Sequence, residues 1–190
     1  MEKSKKLAIL ILAAGNSSRL GEPKQLVTYK NSTLLEHACK KALQINNNVF
    51  VVLGANFLQC KEKIKNLDVN IIENKNYQEG LSSSIQEGIL HLCDYDKTLI
   101  MLCDQPFITI DHLQKLIDKS NKSNKIICSF YKNDVAVPAI FSQNFYKHLL
   151  ELKGDKGAKS TIKKFASDMI VLEDSFSIDI DTQEDKKYLN

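Results

Sequence analysis

Residues Leu7–Lys24 read LAILILAAGNSSRLGEPK, and the reading of this stretch decides the fold. An apolar run from Leu7 to Leu12 stops at three small residues, Ala13, Ala14 and Gly15. A polar loop follows, carrying Asn16, Ser17, Ser18, Arg19, Gly21 and Lys24. A short continuous apolar run bounded by turn residues is the pattern of a strand buried on both faces. A small-residue loop after such a strand lets successive backbone N–H groups close around an anion. Gly15 and Gly21 are the positions expected to adopt positive φ. Arg19 offers a planar fork and Lys24 a point charge, two complementary ways of holding phosphate. Five residues separate Gly15 from Gly21, and no Gly-Lys-Ser/Thr closes the loop. The stretch is therefore neither a Walker A loop nor a GxGxxG turn.

Working outward, helical spacing of Leu34, Leu35, Ala38, Ala42 and Leu43 predicts a helix over Thr33 to Leu43, with Glu36 placed to close a capping box on Thr33. VFVVL at Val49 to Leu53 reads as a second buried strand, ended by Gly54. Phe57 to Leu67 reads as a helix and Val69 to Ile72 as a strand. A helix from Ser82–Ser84 to Leu92 precedes a strand over Thr98 to Cys103, then a helix over Asp111 to Lys119 capped by Thr109. Lys125 to Phe130 is a strand, and Val135 to Phe141 is extended, with Pro138 predicting a sheet edge or a bend. Helices over Phe145 to Leu152 and Asp155 to Phe165, short strands over Met169 to Leu172 and Ser177 to Ile180, and a terminal helix complete the reading. Alternating strands and helices predict an α/β fold built on a parallel sheet, in one domain over residues 1–190.

Composition narrows the function. The charged fraction of 26% and net charge of +3 are too balanced to argue for nucleic acid or a membrane surface. No apolar run approaches the ~20 residues of a membrane span. Lys3, Lys5 and Lys6 before the apolar run give a superficial likeness to a secretion signal. The apolar core is very short, however, and cleavage would fall inside the glycine loop, so a first strand is expected instead. The five cysteines are scattered, odd in number and without CxxC spacing, which predicts reduced thiols in a cytoplasmic protein. Cys103, beside Asp104, is the one expected near chemistry. The four histidines, His37, His91, His112 and His148, fall in helices and share no motif, so they are expected to be structural or solvent-facing.

Ligands of open α/β sheets sit outside the carboxyl ends of the parallel strands. Those ends here carry Ala13-Ala14-Gly15, Gly54, Glu73-Asn74 and Asp104. Two cations, Arg19 and Lys24, and a carboxylate, Asp104, thus share one rim. A carboxylate beside a triphosphate is reconciled by Mg²⁺, which takes carboxylate and phosphate oxygens together. Asp179 and Asp181, at i, i+2 on an extended segment, place further carboxylates on one face. Ser82 to Ser84 form a helix N-terminus able to meet an anion or a base edge. No nucleophile–base pair for covalent catalysis is visible.

LAAGNSSRLGEPK resembles the signature LAAGxSxRxGxxK of the nucleotidyltransferases that build molybdenum cofactor dinucleotides. Its Ala-Ala-Gly form is more similar to the cytidylyltransferase branch than to the guanylyltransferase branch. The likeness continues through VVLGA (Val51 to Ala55), EGLSSSIQEGI (Glu79 to Ile89), LCDQP (Leu102 to Pro106), VPAIF (Val137 to Phe141), GDKGAK (Gly154 to Lys159) and DIDTQED (Asp179 to Asp185). The resemblance implies a three-layer α/β sandwich with a mixed, mostly parallel sheet. It implies transfer of a nucleotide from a nucleoside triphosphate, CTP favoured, to the phosphate of molybdopterin. A sugar phosphate acceptor is the alternative, as is a non-catalytic protein that loads cofactor onto a molybdenum enzyme. By the same resemblance Leu12, Ala13, Ala14 and Gly15 contact base and ribose, Arg19 the β- and γ-phosphates and Lys24 the α-phosphate. Asp104 and Asp181 hold Mg²⁺, and Gly80, Ser82, Ser83 and Ser84 shape the base pocket. Gly154, Asp155, Lys156 and Gly157 lie toward the acceptor, and a recipient molybdenum enzyme is an implied partner. The chain departs from the family pattern at Ala136, where glycine is frequent, at Lys75, where proline is common, and at Tyr77, where tryptophan is common.

Overall fold

The computed structural model describes residues 6–189. Lys3 and Lys5 lie outside the described residues. The chain forms β1 (Leu7–Ala13), a hairpin of β2 (Thr28–Tyr29) and β3 (Ser32–Thr33), α1 (Leu34–Leu43), β4 (Val49–Leu53) and α2 (Phe57–Ile64). It continues through β5 (Asn70–Glu73), α3 (Leu81–Leu90), β6 (Lys97–Leu102), α4 (Ile110–Ser120), β7 (Ile126–Tyr131), β8 (Asp134–Ser142), α5 (Tyr146–Leu150), α6 (Ala158–Lys164) and β9 (Ser167–Val171). The main sheet has the order β5-β4-β1-β6-β8-β7-β9. Only β8 runs against its neighbours, so the sheet is mixed and mostly parallel.

Alternate residues of β1 feed two separate cores. Ile9, Ile11 and Ala13 pack on one face with Leu35 and Cys39 of α1, Ile64 of α2 and Leu116 of α4. Ala8, Leu10 and Leu12 pack on the other with Ile85 of α3, Leu149 of α5 and Ile162 of α6. This is the three-layer sandwich, and it explains why β1 has no polar residue: both of its faces are covered. The capping box on α1 forms, with Glu36 N–H donating to Thr33 Oγ1 and Thr33 N–H to Glu36. Thr109 likewise accepts from His112 N–H at the start of α4.

Several elements differ from the sequence reading. Ser177 to Ile180 joins no sheet; it is an irregular segment pinned by Ile180, whose N–H donates to Asp104 O at 2.9 Å. The helices expected from Phe145 and from Asp155 are shorter, and the C-terminal one is a 3-10 helix over Glu184–Leu189. Pro138 lies on an interior strand rather than an edge. It is tolerated because the pairing of β7 with β8 steps over it, from Cys128↔Ala139 to Ser129↔Ala136, leaving a bulge where its missing N–H costs nothing. His112 braces that bulge: Ser129 Oγ donates to Pro138 O at 2.8 Å, so His112 Nε2–H donates to Ser129 Oγ at 2.8 Å. Burial lowers the His112 pKa, consistent with a neutral structural imidazole. Among the described residues, no helix is long and apolar enough to cross a membrane.

β1, β4, β5 and β6 are parallel, so their carboxyl ends share a rim. From β1 the chain moves outward through β4 and β5, then returns to place β6 on the other side of β1. The order therefore reverses between β1 and β6, the place where open α/β sheets leave a ligand crevice.

Candidate active site

The loop after β1 is folded by two side chains within it. Gln25, only 1% exposed, donates from Nε2 to Ala13 O at 2.9 Å and to Gly15 O at 2.7 Å. Ser17 Oγ accepts from Lys24 N–H at 3.0 Å, and Ser17 O accepts from the N–H groups of Leu20 and Gly21. The left-handed positions are Ser17 (φ 56°) and Gly21 (φ 76°), not Gly15. Among the described residues, the backbone N–H groups of Gly15 to Arg19 meet no acceptor. A run of free N–H groups is the raw material of an anion nest.

Lys24 reaches across from this loop to the end of β6. Its ammonium donates to Asp104 Oδ2 at 2.7 Å and also to Asp181 Oδ1. Arg19 meets the other oxygen of Asp181 at 3.0 Å. The structure thus gathers Arg19, Lys24, Asp104 and Asp181 into one cluster. Burial works against the Lys24 charge, but Asp104 and then Asp181 outweigh it and raise its pKa well above the ordinary lysine value. Arg19 is different. Its side chain is 74% exposed, so its pair with Asp181 is weak and the guanidinium is free to swing toward a ligand. Asp104 Oδ1 is buried and has no hydrogen-bond partner. Cys103 lies beside it, but burial, then the Asp104 charge, push its thiol pKa well up, so it is no nucleophile.

Behind the cluster, α3 opens at Gly80, whose φ is +99°. A Cβ there would lie 2.5 Å from the Gly154 carbonyl carbon and 2.6 Å from Asp155 Oδ1, so only glycine lets the two loops meet. Ser82 N–H donates to Gly154 O at 3.0 Å across that contact. Asn74, at the end of β5, donates from Nδ2 to Ser83 Oγ at 2.9 Å and Ser84 Oγ at 3.0 Å. Ser83 Oγ in turn donates to Gly80 O.

Two adjoining cavities open at this rim, with Leu12, Leu81 and Leu102 as their common wall. The first, about 610 Å³, is lined by Leu12 to Gly15, Lys24, Gly80, Ser84, Asp104 and Asp181, all expected from sequence, and also by Tyr77. The second, about 500 Å³, has Ile85, Ile100, Val137 and Ala158 as apolar wall and Gln105, Tyr131 and Asp179 as a polar end. The segment expected at the acceptor divides: Asp155 lines the first cavity and Gly157 the second, while Gly154 and Lys156 line neither. Ser82 and Ser83 are buried beneath the first cavity and do not line it. Arg19 stands outside it, reaching it through Asp181. Asp179 lines the second cavity and Asp181 the first, and Ile180 between them is buried with Leu20, Val27 and Leu34. Gln25 and Gln105 are the residues that sequence reasoning gave no role, and Asn74 it named only as a strand end. A lone buried amide has no periodic signature; the strand-end position of Asn74 and the neighbour of Asp104 were the available signals.

Comparison with known proteins agrees with this geometry. The chain is 27% identical over 168 residues to the bifunctional protein GlmU of Francisella philomiragia, covering 86% of this chain and 37% of that protein. It is 32% identical over 126 residues to a probable molybdenum cofactor guanylyltransferase of Bacillus mycoides, covering 64% and 61%. The chain thus spans about a third of the length of the first relative and about three fifths of the second. The solved structure of Rv0371c from Mycobacterium tuberculosis superposes with a TM-score of 0.85 at 25% identity, covering 98% of both chains. A manganese complex of the same mycobacterial protein superposes at 0.79 with 23% identity, covering 97% and 98%. The family described as MobA-like NTP transferase domain matches residues 9–169, and the chain belongs to that family.

Proposed function

We propose that this protein transfers a nucleotide from a nucleoside triphosphate, CTP favoured, to the terminal phosphate of molybdopterin, with release of pyrophosphate. The observation that carries the reading is Lys24 held between Asp104 and Asp181 on the wall of the first cavity, which adjoins the second across Leu12, Leu81 and Leu102. One cavity suits the nucleotide and the other the acceptor, and the α-phosphorus belongs between them. The free N–H groups of Gly15 to Arg19 receive the triphosphate, Arg19 swings from Asp181 onto its outer phosphates, and Lys24 neutralises charge at the α-phosphate. The acceptor phosphate is already a nucleophile near neutral pH, so no general base is required. Catalysis is then alignment and charge neutralisation.

Two carboxylates already gathered around a cation, one with a buried unpartnered oxygen, fit a divalent metal. Asp104 and Asp181 would hold it. Mg²⁺ is commonly bound by one or two carboxylates plus phosphate oxygens. An ion held there would supply positive charge to offset what develops on the phosphate oxygens. The manganese complex of the mycobacterial neighbour supports a divalent ion.

Cytosine is favoured by the Leu-Ala-Ala-Gly start of the loop, while the Bacillus relative is named a guanylyltransferase. Discrimination between bases rests on a few hydrogen bonds. The GlmU relatives favour a second reading, a sugar phosphate acceptor. Pyrophosphate release is the test, measured with molybdopterin or a sugar 1-phosphate against CTP, GTP and ATP. Release with CTP and molybdopterin is the expected result. Release only with a sugar phosphate removes the molybdopterin reading, and release with neither removes the transferase. In the first case direct hand-over to a recipient molybdenum enzyme follows naturally, because it spares a labile product from solvent.

A further inference from the structure

Asp181 lies on an irregular segment, with neither strand nor helix to hold it. Its side chain is engaged only by cations, Arg19 and Lys24, from a distant loop. Its backbone is held on both sides. Before it, Ile180 is fully buried and its N–H donates to Asp104 O at 2.9 Å. After it stands Asp185. One oxygen of that carboxylate, Oδ2, accepts from Thr182 N–H at 2.7 Å, Thr182 Oγ1 at 2.8 Å and Asp181 N–H at 3.1 Å. The bonds to Thr182 make half of a capping box for the 3-10 helix over Glu184–Leu189, and Asp185 N–H donates back to Thr182 O at 3.2 Å. The bond to Asp181 N–H lies one residue beyond what a capping box needs. It ties the cap to the residue that faces the site.

The same segment is joined to the signature loop away from the cleft. Gln183 Nε2 donates to Leu20 O, and Lys186 pairs with Glu22 at 2.7 Å. Leu189 packs on the buried cluster that holds Leu20 and Ile180. These ties matter once phosphate arrives. Arg19 and Lys24 then turn to the triphosphate, and Asp181 loses both of its side-chain partners. What still fixes it is its backbone, through Ile180 on one side and Asp185 on the other. We propose that Asp185 is the positioning residue of the candidate metal centre, holding Asp181 in place after its cations have moved to phosphate. Asp185 touches neither nucleotide nor ion; it acts through the Asp181 backbone. This inference rests on the reading of Asp181 as a metal ligand in the transferase, and it adds what orients that ligand.

The test is calorimetric binding of inorganic tripolyphosphate to the full chain, with Mn²⁺ and again with EDTA, so that the choice of base does not enter. The ratio of the two affinities measures how strongly ion and phosphate are coupled at the site. Asp185→Ala should lower that ratio by about tenfold or more, the scale of losing an outer partner that orients a metal ligand. Its affinity in EDTA should stay at or above that of the wild type, because a loosened Asp181 competes less for Arg19 and Lys24. General loss of structure would weaken both affinities. Asp185→Asn keeps an acceptor oxygen for the same donors and should lose less. Thermal unfolding of each variant reports folding independently. An unchanged ratio in Asp185→Ala, or an affinity in EDTA that falls along with it, would overturn the inference. Asp181→Ala separates the two readings. If it removes the Mn²⁺ effect and Asp185→Ala does not, this inference falls alone. If the wild-type Mn²⁺ effect does not depend on Asp181, the metal assignment falls and this inference with it. A lowered ratio in Asp185→Ala without pyrophosphate release from any nucleotide leaves the positioning role standing and removes the transfer reaction.

Discussion

Lys24 is the residue on which the site turns. It lies in a short 3-10 turn directly before Gln25, and that buried amide fixes the backbone from which the lysine projects. Its side chain and that of Asp104 are mostly buried, so their pairing matters more than a surface ion pair. Lys24→Ala and Asp104→Ala should each lower pyrophosphate release by about two orders of magnitude or more, the scale of losing one transition-state contact. The two variants should differ in stability. Lys24→Ala leaves the mostly buried Asp104 without a counter-charge and Asp181 with only the exposed Arg19, and should cost about 3 kcal/mol in urea unfolding. Asp104→Ala removes one of the two carboxylates and should cost less. A folded Asp104→Ala variant with normal turnover would exclude the proposed mechanism.

At the scale of elements, the site depends on how closely α3 lies on the sheet. Gly88 faces β1, where an added Cβ would sit 2.6 Å from Leu10 Cδ2 and 2.7 Å from Cδ1. Leu10 is fully buried and has no room to yield. Gly88→Ala should therefore cost about 1–3 kcal/mol through overpacking. It should also raise KM for the nucleotide, because the same helix carries Gly80 and Ser84 into the cleft. A stability loss with an unchanged KM would show that the helix N-terminus moves independently of its middle. The elements themselves were largely legible. Thr33 with Glu36, Thr109, and the apolar runs of β1, β4 and β6 are local signals, and each element formed where those signals fell. Ser177 to Ile180 was misread because alternation in Ser-Ile-Asp-Ile is also satisfied by a single extended segment that buries Ile180 and pairs its backbone with Asp104 O.

At the scale of the whole molecule, the cluster is assembled from parts far apart in the chain: Arg19 and Lys24, Asp104, and Asp181. Ligand binding should accordingly stabilise the entire fold. With MgCTP at about 100 times its Kd, mass action adds about 2.7 kcal/mol, or about 5 to 11 °C in Tm for a chain of this size. Chelating the metal with EDTA should remove most of that shift if Asp104 and Asp181 bind nucleotide through a divalent ion. A shift that survives chelation would place the nucleotide on Arg19, Lys24 and the backbone nest alone.

The sequence by itself determined the strand-loop start, the α/β alternation, the caps and the rim on which the charged residues would meet. All of these follow from periodicity and short-range hydrogen bonding, which neighbouring residues express directly. Only the tertiary structure decided that Lys24 bridges two carboxylates, that Ser82 and Ser83 lie beneath the cleft rather than in it, and that Asp179 and Asp181 serve different cavities. Those outcomes depend on which side chains are left without partners once distant segments pack. Burial and hydrogen-bond exhaustion are properties of the assembled surface, and no local pattern along the chain records them.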